Sequence, residues 1–267
     1  MPVREIIESP HRFKERILAY GGAGTGKSSI TCNIARYMPA GVTMHVIDLD
    51  YSMAYERLLA TEYPDVWDRG TVVVHEVEAE WGAFERKFKE LVETSNPVTD
   101  WITIDPVTVT WQMVQAWWSD TVYGENIADY MAKLRKDATD LKEYNASMAS
   151  DMTWPAINKQ YQEKFYQMFH QWRGHSILIC EPAELGRDED ADVKSTYGYV
   201  GYKPQGQKTL PHVAATNIFL DHPARDKWRM TTVKDRGRLL VERRPIGEFA
   251  MDYLVEIGQW ESRMVKE

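Results

Sequence analysis

Ten consecutive residues carry the most specific chemistry in this chain of 267: Tyr20-Gly21-Gly22-Ala23-Gly24-Thr25-Gly26-Lys27-Ser28-Ser29. They fit the pattern G-x-x-x-x-G-K-[ST], with Gly21 opening a loop and Gly26-Lys27-Ser28 closing it. Glycines let successive backbone N–H groups turn inward and cradle a polyphosphate, which the positive end of a following helix also attracts. Gly21, Gly22, Ala23, Gly24, Thr25, Gly26, Lys27, Ser28 and Ser29 are therefore the expected nucleotide contacts. Lys27 is placed to reach the β- and γ-phosphate oxygens, and the Ser28 hydroxyl to take one position on Mg²⁺. The expected ligands are ATP and Mg²⁺.

A triphosphate site also needs acidic residues. Asp105 ends the apolar run Trp101-Ile102-Thr103-Ile104 and is the natural second Mg²⁺ residue, the Walker-B position. Its ordinary alternative is a strand-end aspartate that caps a helix. Hydrolysis further requires a base or water-orienting group near the γ-phosphate. The residue after Asp105 is Pro106, so the carboxylate must come from elsewhere. Asp48 and Asp50, after the run Thr43 to Ile47, are the candidates, against the plainer reading of a surface turn. Glu181, after Ser176 to Cys180, could sense the nucleotide through water or be a structural carboxylate.

The elements that must position these groups can be read from apolar patterning. Ile17 to Tyr20, Thr43 to Ile47, Thr71 to His75, Trp101 to Ile104 and Ser176 to Cys180 read as strands, and Ser29 to Tyr37 as the helix behind the loop. Trp81, Phe84, Phe88, Leu91 and Val92 fall on one helix face. Strands alternating with helices imply parallel β-α units with right-handed crossovers and ligands at the carboxyl ends of the strands. The loop, Asp48/Asp50 and Asp105 all lie at such ends. Residues 107–173 read as helical, with Trp154, Ile157, Tyr161, Phe165, Met168, Phe169 and Trp172 at three/four spacing and a polar surface insertion over 120–151. Thr216 to Leu220, Trp228 to Val233 and Leu239 to Glu242 are expected to complete the sheet with antiparallel members. The expected organisation is one domain over 1–267: a core of about 15–243, a helical insertion at 107–173 and a tail from 244. Segment 182–208 reads as a long functional loop with an acidic half.

Composition sets wider limits. Hydrophobic content of 43% and charged content of 27% are ordinary for a globular protein. No apolar run approaches the ~18 residues of a membrane span, and no signal peptide opens the chain. The two cysteines, Cys32 and Cys180, read as buried reduced thiols, and the expected location is the cytoplasm. Net charge is −8, so the whole molecule is no basic nucleic-acid magnet, yet residues 225–244 hold eight basic and three acidic side chains.

Several short motifs together resemble a known family. Ile47-Asp48-Leu49-Asp50 followed by Met53-Ala54-Tyr55 resembles the strand-and-carboxylate segment of RecA-type recombinases, whose catalytic glutamate aligns with Asp50. Ile102-Thr103-Ile104-Asp105 resembles their Walker B. Val233-Lys234-Asp235-Arg236-Gly237-Arg238 is similar to the late lysine/arginine pair of RecA and of DnaB-type helicases. The resemblance covers roughly residues 15–240. With the loop so near the start, it points to compact RecA-like ATPases of bacteriophages that assist recombination and single-strand annealing. It implies an α/β RecA-like P-loop fold and a homo-oligomer, ring or filament, with ATP at subunit interfaces. Lys234 and Arg236 would then act in trans on a neighbour's γ-phosphate. Segment 182–208 falls at the family's second DNA-binding loop, where Lys194, Lys203, Lys208 and the tyrosines Tyr197, Tyr199 and Tyr202 suit single-stranded DNA. The chain departs from the family in three respects: the shorter Asp50, an acidic Glu181 where a neutral polar group is usual, and a long 107–173. A nucleotide kinase and a slow nucleotide-switched assembly protein are the other readings of the loop.

Overall fold

Strands covered on both faces need apolar residues at successive positions rather than at alternate ones, and that is how the strands leading to the loop and the carboxylates are composed. The computed structural model describes residues 14–257 except 152, 153, 237 and 239. One eight-stranded sheet contains β1 (Arg16–Gly21), β2 (Met44–Asp48), β3 (Val72–Glu76), β4 (Trp101–Asp105), β5 (His175–Cys180), β8 (Thr216–Ala224), β9 (Lys227–Asp235) and β10 (Arg244–Ile246). Their order is β10-β9-β8-β1-β5-β4-β2-β3. From β8 to β3 all neighbours are parallel, and β9 and β10 add antiparallel pairs. This is the α/β class expected, with a mostly parallel sheet and antiparallel strands late in the chain.

Alternation along the strands feeds two cores. Leu18, Tyr20, Ile47, Ile102, Ile104, Leu178 and Cys180 face one layer, with α4 (Trp81–Thr94), α5 (Val107–Tyr123), α8 (Trp154–Tyr161) and α9 (Gln167–Gln171). Ile17, Ala19, Met44, Val46, Ile177, Ile179, Ile218 and Met230 face the other, against α1 (Lys27–Arg36), α2 (Ala54–Thr61) and α3 (Pro64–Arg69). The first turn of α1 has no capping side chain, so the burial of Ile30, Cys32, Ile34 and Ala35 holds it in place. At roughly 1.5–3 kcal/mol for each large apolar side chain, that outweighs one missing cap of about 1 kcal/mol.

The helical region has α6 (Ile127–Asp137) and α7 (Leu141–Asp151) between α5 and α8. Ile157, Tyr161, Phe165 and Phe169 are all buried although they are spaced strictly four apart. On a 3.6-residue helix each such step advances the stripe by about 40°. A π-helical turn at Gln162–Tyr166 underwinds the chain and returns the stripe to the sheet.

Three sequence expectations change. The late strand is Arg244–Ile246, not Leu239 to Glu242, of which Leu239 lies outside the described residues; Arg243 has a left-handed φ of 49° that interrupts the extended backbone just before it. Residues from 244 are not a tail: Phe249, Ala250, Tyr253 and Leu254 of a π-helical turn (Ala250–Val255) and its N-cap are buried in the α1 layer. Segment 182–208 is folded, with β6 (Pro182–Glu184) pairing antiparallel with β7 (Tyr202–Pro204) around α10 (Ala191–Tyr197). Among the described residues no helix is long and apolar enough to cross a membrane.

Candidate nucleotide site

The loop between β1 and α1 has the backbone its glycines imply. Gly24 and Gly26 have φ of 75° and 85°, left-handed values that side chains disfavour. Gly21 is required for a different reason: a Cβ there would lie 2.3 Å from the Leu220 carbonyl of neighbouring β8. Thr25 closes the loop, its hydroxyl donating to the Gly22 carbonyl at 2.8 Å. Lys27 Nζ donates to the Gly21 and Gly22 carbonyls at 2.6 and 2.7 Å, which holds the ammonium within the loop. Burial lowers its pKa, and the negative charges of Asp105 and Glu181 oppose that shift. With Gly26 at the N-cap, no side chain takes up the first N–H groups of α1. These backbone donors suit an anion.

Ser28 and Asp105, far apart in sequence, meet as expected. The Ser28 hydroxyl donates to Asp105 Oδ2 at 2.8 Å. A second donor was not assigned from sequence: the Tyr55 hydroxyl, on α2, reaches the same oxygen at 2.7 Å. Tyr55 is 1% exposed, and its run Ala54-Tyr55 gave no sign that it points at β4 rather than simply filling the core. Burial raises the Asp105 pKa, while Tyr55, Ser28 and Lys27 pull it down. Hard oxygen donors of this kind suit Mg²⁺, which takes few protein ligands beside phosphate oxygens. Among the described residues no cluster of three or more His, Cys, Asp or Glu forms a cation cage, and such a metal needs none.

β2 lies beside β4 with Asp48 in register with Asp105, so the other carboxylates arrive at the same end of the sheet. Asp48 is buried, and its Oδ1 accepts the Asp50 backbone N–H at 3.1 Å. Burial, then its hydrogen bond to the Asp50 side chain, pushes Asp48 up to about 7. Asp50 is exposed. The turn presenting it has Tyr51 and Met53 at φ of 52°, two non-glycine residues in the left-handed region. Such positions cost on the order of 1–3 kcal/mol each and concentrate where geometry is functional. Glu181 leaves the end of β5, between β1 and β4, and is exposed.

The late basic pair lies elsewhere. β9 runs antiparallel, so Lys234 stands opposite Asn217, which is level with Leu18 of β1. That is three residues, roughly 10 Å, below the Gly21 end of β1. Lys234 Nζ donates to the Pro211 and Ala214 carbonyls at 2.9 and 2.6 Å. Arg236 is exposed. Neither belongs with its own chain's loop.

In segment 182–208 most of the expected DNA-facing groups are engaged internally. Tyr197 is buried with its ring edge-on to Tyr20, and Tyr202 stacks on Phe219. Lys203 pairs with Glu189, and Lys208 with Asp190 at 3.1 Å. Tyr199 stays 44% exposed. The acidic half of the segment thus neutralises its lysines.

No protein-family model matches the chain, and no curated protein matches it. Among solved structures it is similar to the crystal structure of the RadB recombinase, at 13% identity over 86% of each chain with a TM-score of 0.46. It is also similar to the ATPase domain of a helicase, at 10% identity over 86% of this chain and 81% of that one with a TM-score of 0.44.

Proposed function

We propose that this chain is an oligomeric, DNA-dependent ATPase with a RecA-like core, acting in the host cytoplasm in phage DNA recombination, strand annealing or replication. The observation that carries the reading is the 2.8 Å hydrogen bond from Ser28 to Asp105, which joins the phosphate loop to the end of a strand two places away in the sheet. That bond puts the two Mg²⁺-binding groups together at the mouth of an anion cradle, with Asp48 and Asp50 on the adjacent strand.

The loop N–H groups and Lys27 would bind and orient the phosphates, and Ser28 and Asp105 would hold Mg²⁺. When bound, Mg²⁺ bridges β- and γ-oxygens and neutralises charge that develops there. Asp50, exposed at the strand end, orients the attacking water and takes its proton. Asp48, buried and inclined to keep its own proton, donates to Asp50 and leaves it the ionised member of the pair. Glu181 senses the nucleotide from the end of β5. The RecA resemblance gives Lys234 and Arg236 to a neighbouring subunit's γ-phosphate, and their distance from their own loop agrees with a role in trans. Lys234 would exchange its two carbonyl bonds for that contact. Single-stranded DNA is assigned to segment 182–208 through its exposed residues, Lys194, Lys208 and Tyr199.

Turnover of ATP should rise with protein concentration and again on adding single-stranded DNA. A strictly monomeric protein with one rate, DNA or no DNA, would sink the proposal.

A further inference from the structure

The β8–β9 hairpin carries an aromatic pair that the site above does not use. Trp228, second residue of β9, lies parallel to His222 of β8, with 7° between the ring planes and 5.1 Å between centroids. Its indole Nε1–H donates to the Gly24 carbonyl at 3.2 Å, and its Cδ1 would lie 3.8 Å from a Cβ on Gly26. One edge of the indole is therefore seated on the phosphate loop. Met230, two residues on and on the same sheet face, is fully buried, yet Trp228 keeps 38% of its surface exposed and His222 is exposed as well. A large stacked aromatic pair stands beside the loop without being needed to close the core.

The direction of the ligand follows from the sheet. Asp105, Asp48, Asp50 and Glu181 all stand on the β5-β4-β2 side of β1, which fixes the metal and γ-phosphate there. β8 and β9 flank β1 on the other side. A nucleotide whose terminal phosphates meet the carboxylates carries its nucleoside away from them, toward the hairpin. We infer that Trp228, backed by His222, is the platform on which the base of the bound nucleotide stacks. The inference rests on the reading of the loop as a triphosphate site. Stacking uses the π-face that every base has, so the platform rewards the presence of a base and discriminates little among bases.

Equilibrium binding of ATP and of inorganic tripolyphosphate, each with Mg²⁺, separates this role from a structural one. Trp228→Ala should weaken ATP by about tenfold and leave tripolyphosphate within about twofold, because only ATP has a base to stack. Trp228→Phe should keep most of the ATP affinity, and His222→Ala, at an exposed position, should lose part of it. If Trp228→Ala does not fold, the last two variants make the same comparison. Equal weakening of both ligands would mean that the indole only braces Gly24, and unchanged ATP binding would mean that no base rests there; either result overturns the platform. A Lys27→Ala arm keeps the two claims apart. If the parent protein binds neither ligand, or Lys27→Ala alters neither, the triphosphate site itself fails and the platform with it.

Discussion

Two hydroxyls donate to one oxygen of Asp105, Ser28 at 2.8 Å and Tyr55 at 2.7 Å. Ser28 is a prospective metal ligand, whereas Tyr55 fixes the carboxylate from behind. Groups in that supporting position typically change metal affinity or activity by about 10–100-fold when removed. Tyr55→Phe should therefore raise the Mg²⁺ concentration needed for half-maximal turnover at least tenfold in order of magnitude, with little change in ATP affinity measured at saturating Mg²⁺. An unaltered Mg²⁺ requirement would leave Tyr55 as core filling. Asp50 is tested differently, since its task belongs to the chemical step. Asp50→Asn should lower kcat by roughly 10²-fold or more with KM little changed, whereas Asp50→Glu, which restores the missing methylene, should retain turnover. Comparable loss in both variants would point to the turn rather than to the carboxylate.

At the scale of elements, the loop is held by what β8 brings against it. Gly21→Ala should destabilise the protein by about 1–3 kcal/mol, measured by denaturant unfolding, because its methyl meets the Leu220 backbone, which cannot swing aside as a side chain would. The β2–β3 edge supplies a pH test. His45 Nδ1 and His75 Nε2 lie 3.2 Å apart, a contact in which one ring must lack a proton. Burial, then His45, lowers His75 to about 4 from an ordinary 6.5. The unfolded chain thus takes up this proton before the folded one does, so its contribution to stability is full above about pH 6.5 and lost as pH falls toward 4. Stability measured at pH 7.5 and pH 5 should differ less in His75→Gln than in the parent, and an identical difference would contradict the assignment. These elements differ in how far the sequence disclosed them. The loop, Asp105 and five parallel strands were legible because glycine spacing and continuous apolar runs are local signals. Tyr55 on Asp105 and Trp228 on Gly24 were not, since each depends on a register set by distant strands. Residues 244–257 read as a tail because Phe249, Tyr253 and Leu254 find their core only once β10 has joined the sheet.

Over the whole molecule, the distribution of groups leaves the site unfinished within one chain. The loop, the metal pair and the carboxylates gather at one end of the sheet, while Arg236 is exposed beyond the end of β9, on the far side of its own loop. The basic excess of residues 225–244 is also less available than the sequence implied. Arg229 pairs with Asp221, Arg238 with Glu15 and Arg244 with Glu256, so Arg236 stands out as an exposed cation near a strand end. If catalysis joins one chain's loop to another chain's Arg236, then Lys27→Ala and Arg236→Ala proteins lack opposite halves of the site. The most direct test is the ATPase rate of an equimolar mixture of these two variants in the presence of single-stranded DNA. Each alone should be nearly inactive, and the mixture should recover a substantial part of the parent rate. A mixture no faster than the average of its inactive components, beside a parent enzyme whose specific rate is independent of its concentration, would contradict a site shared between subunits.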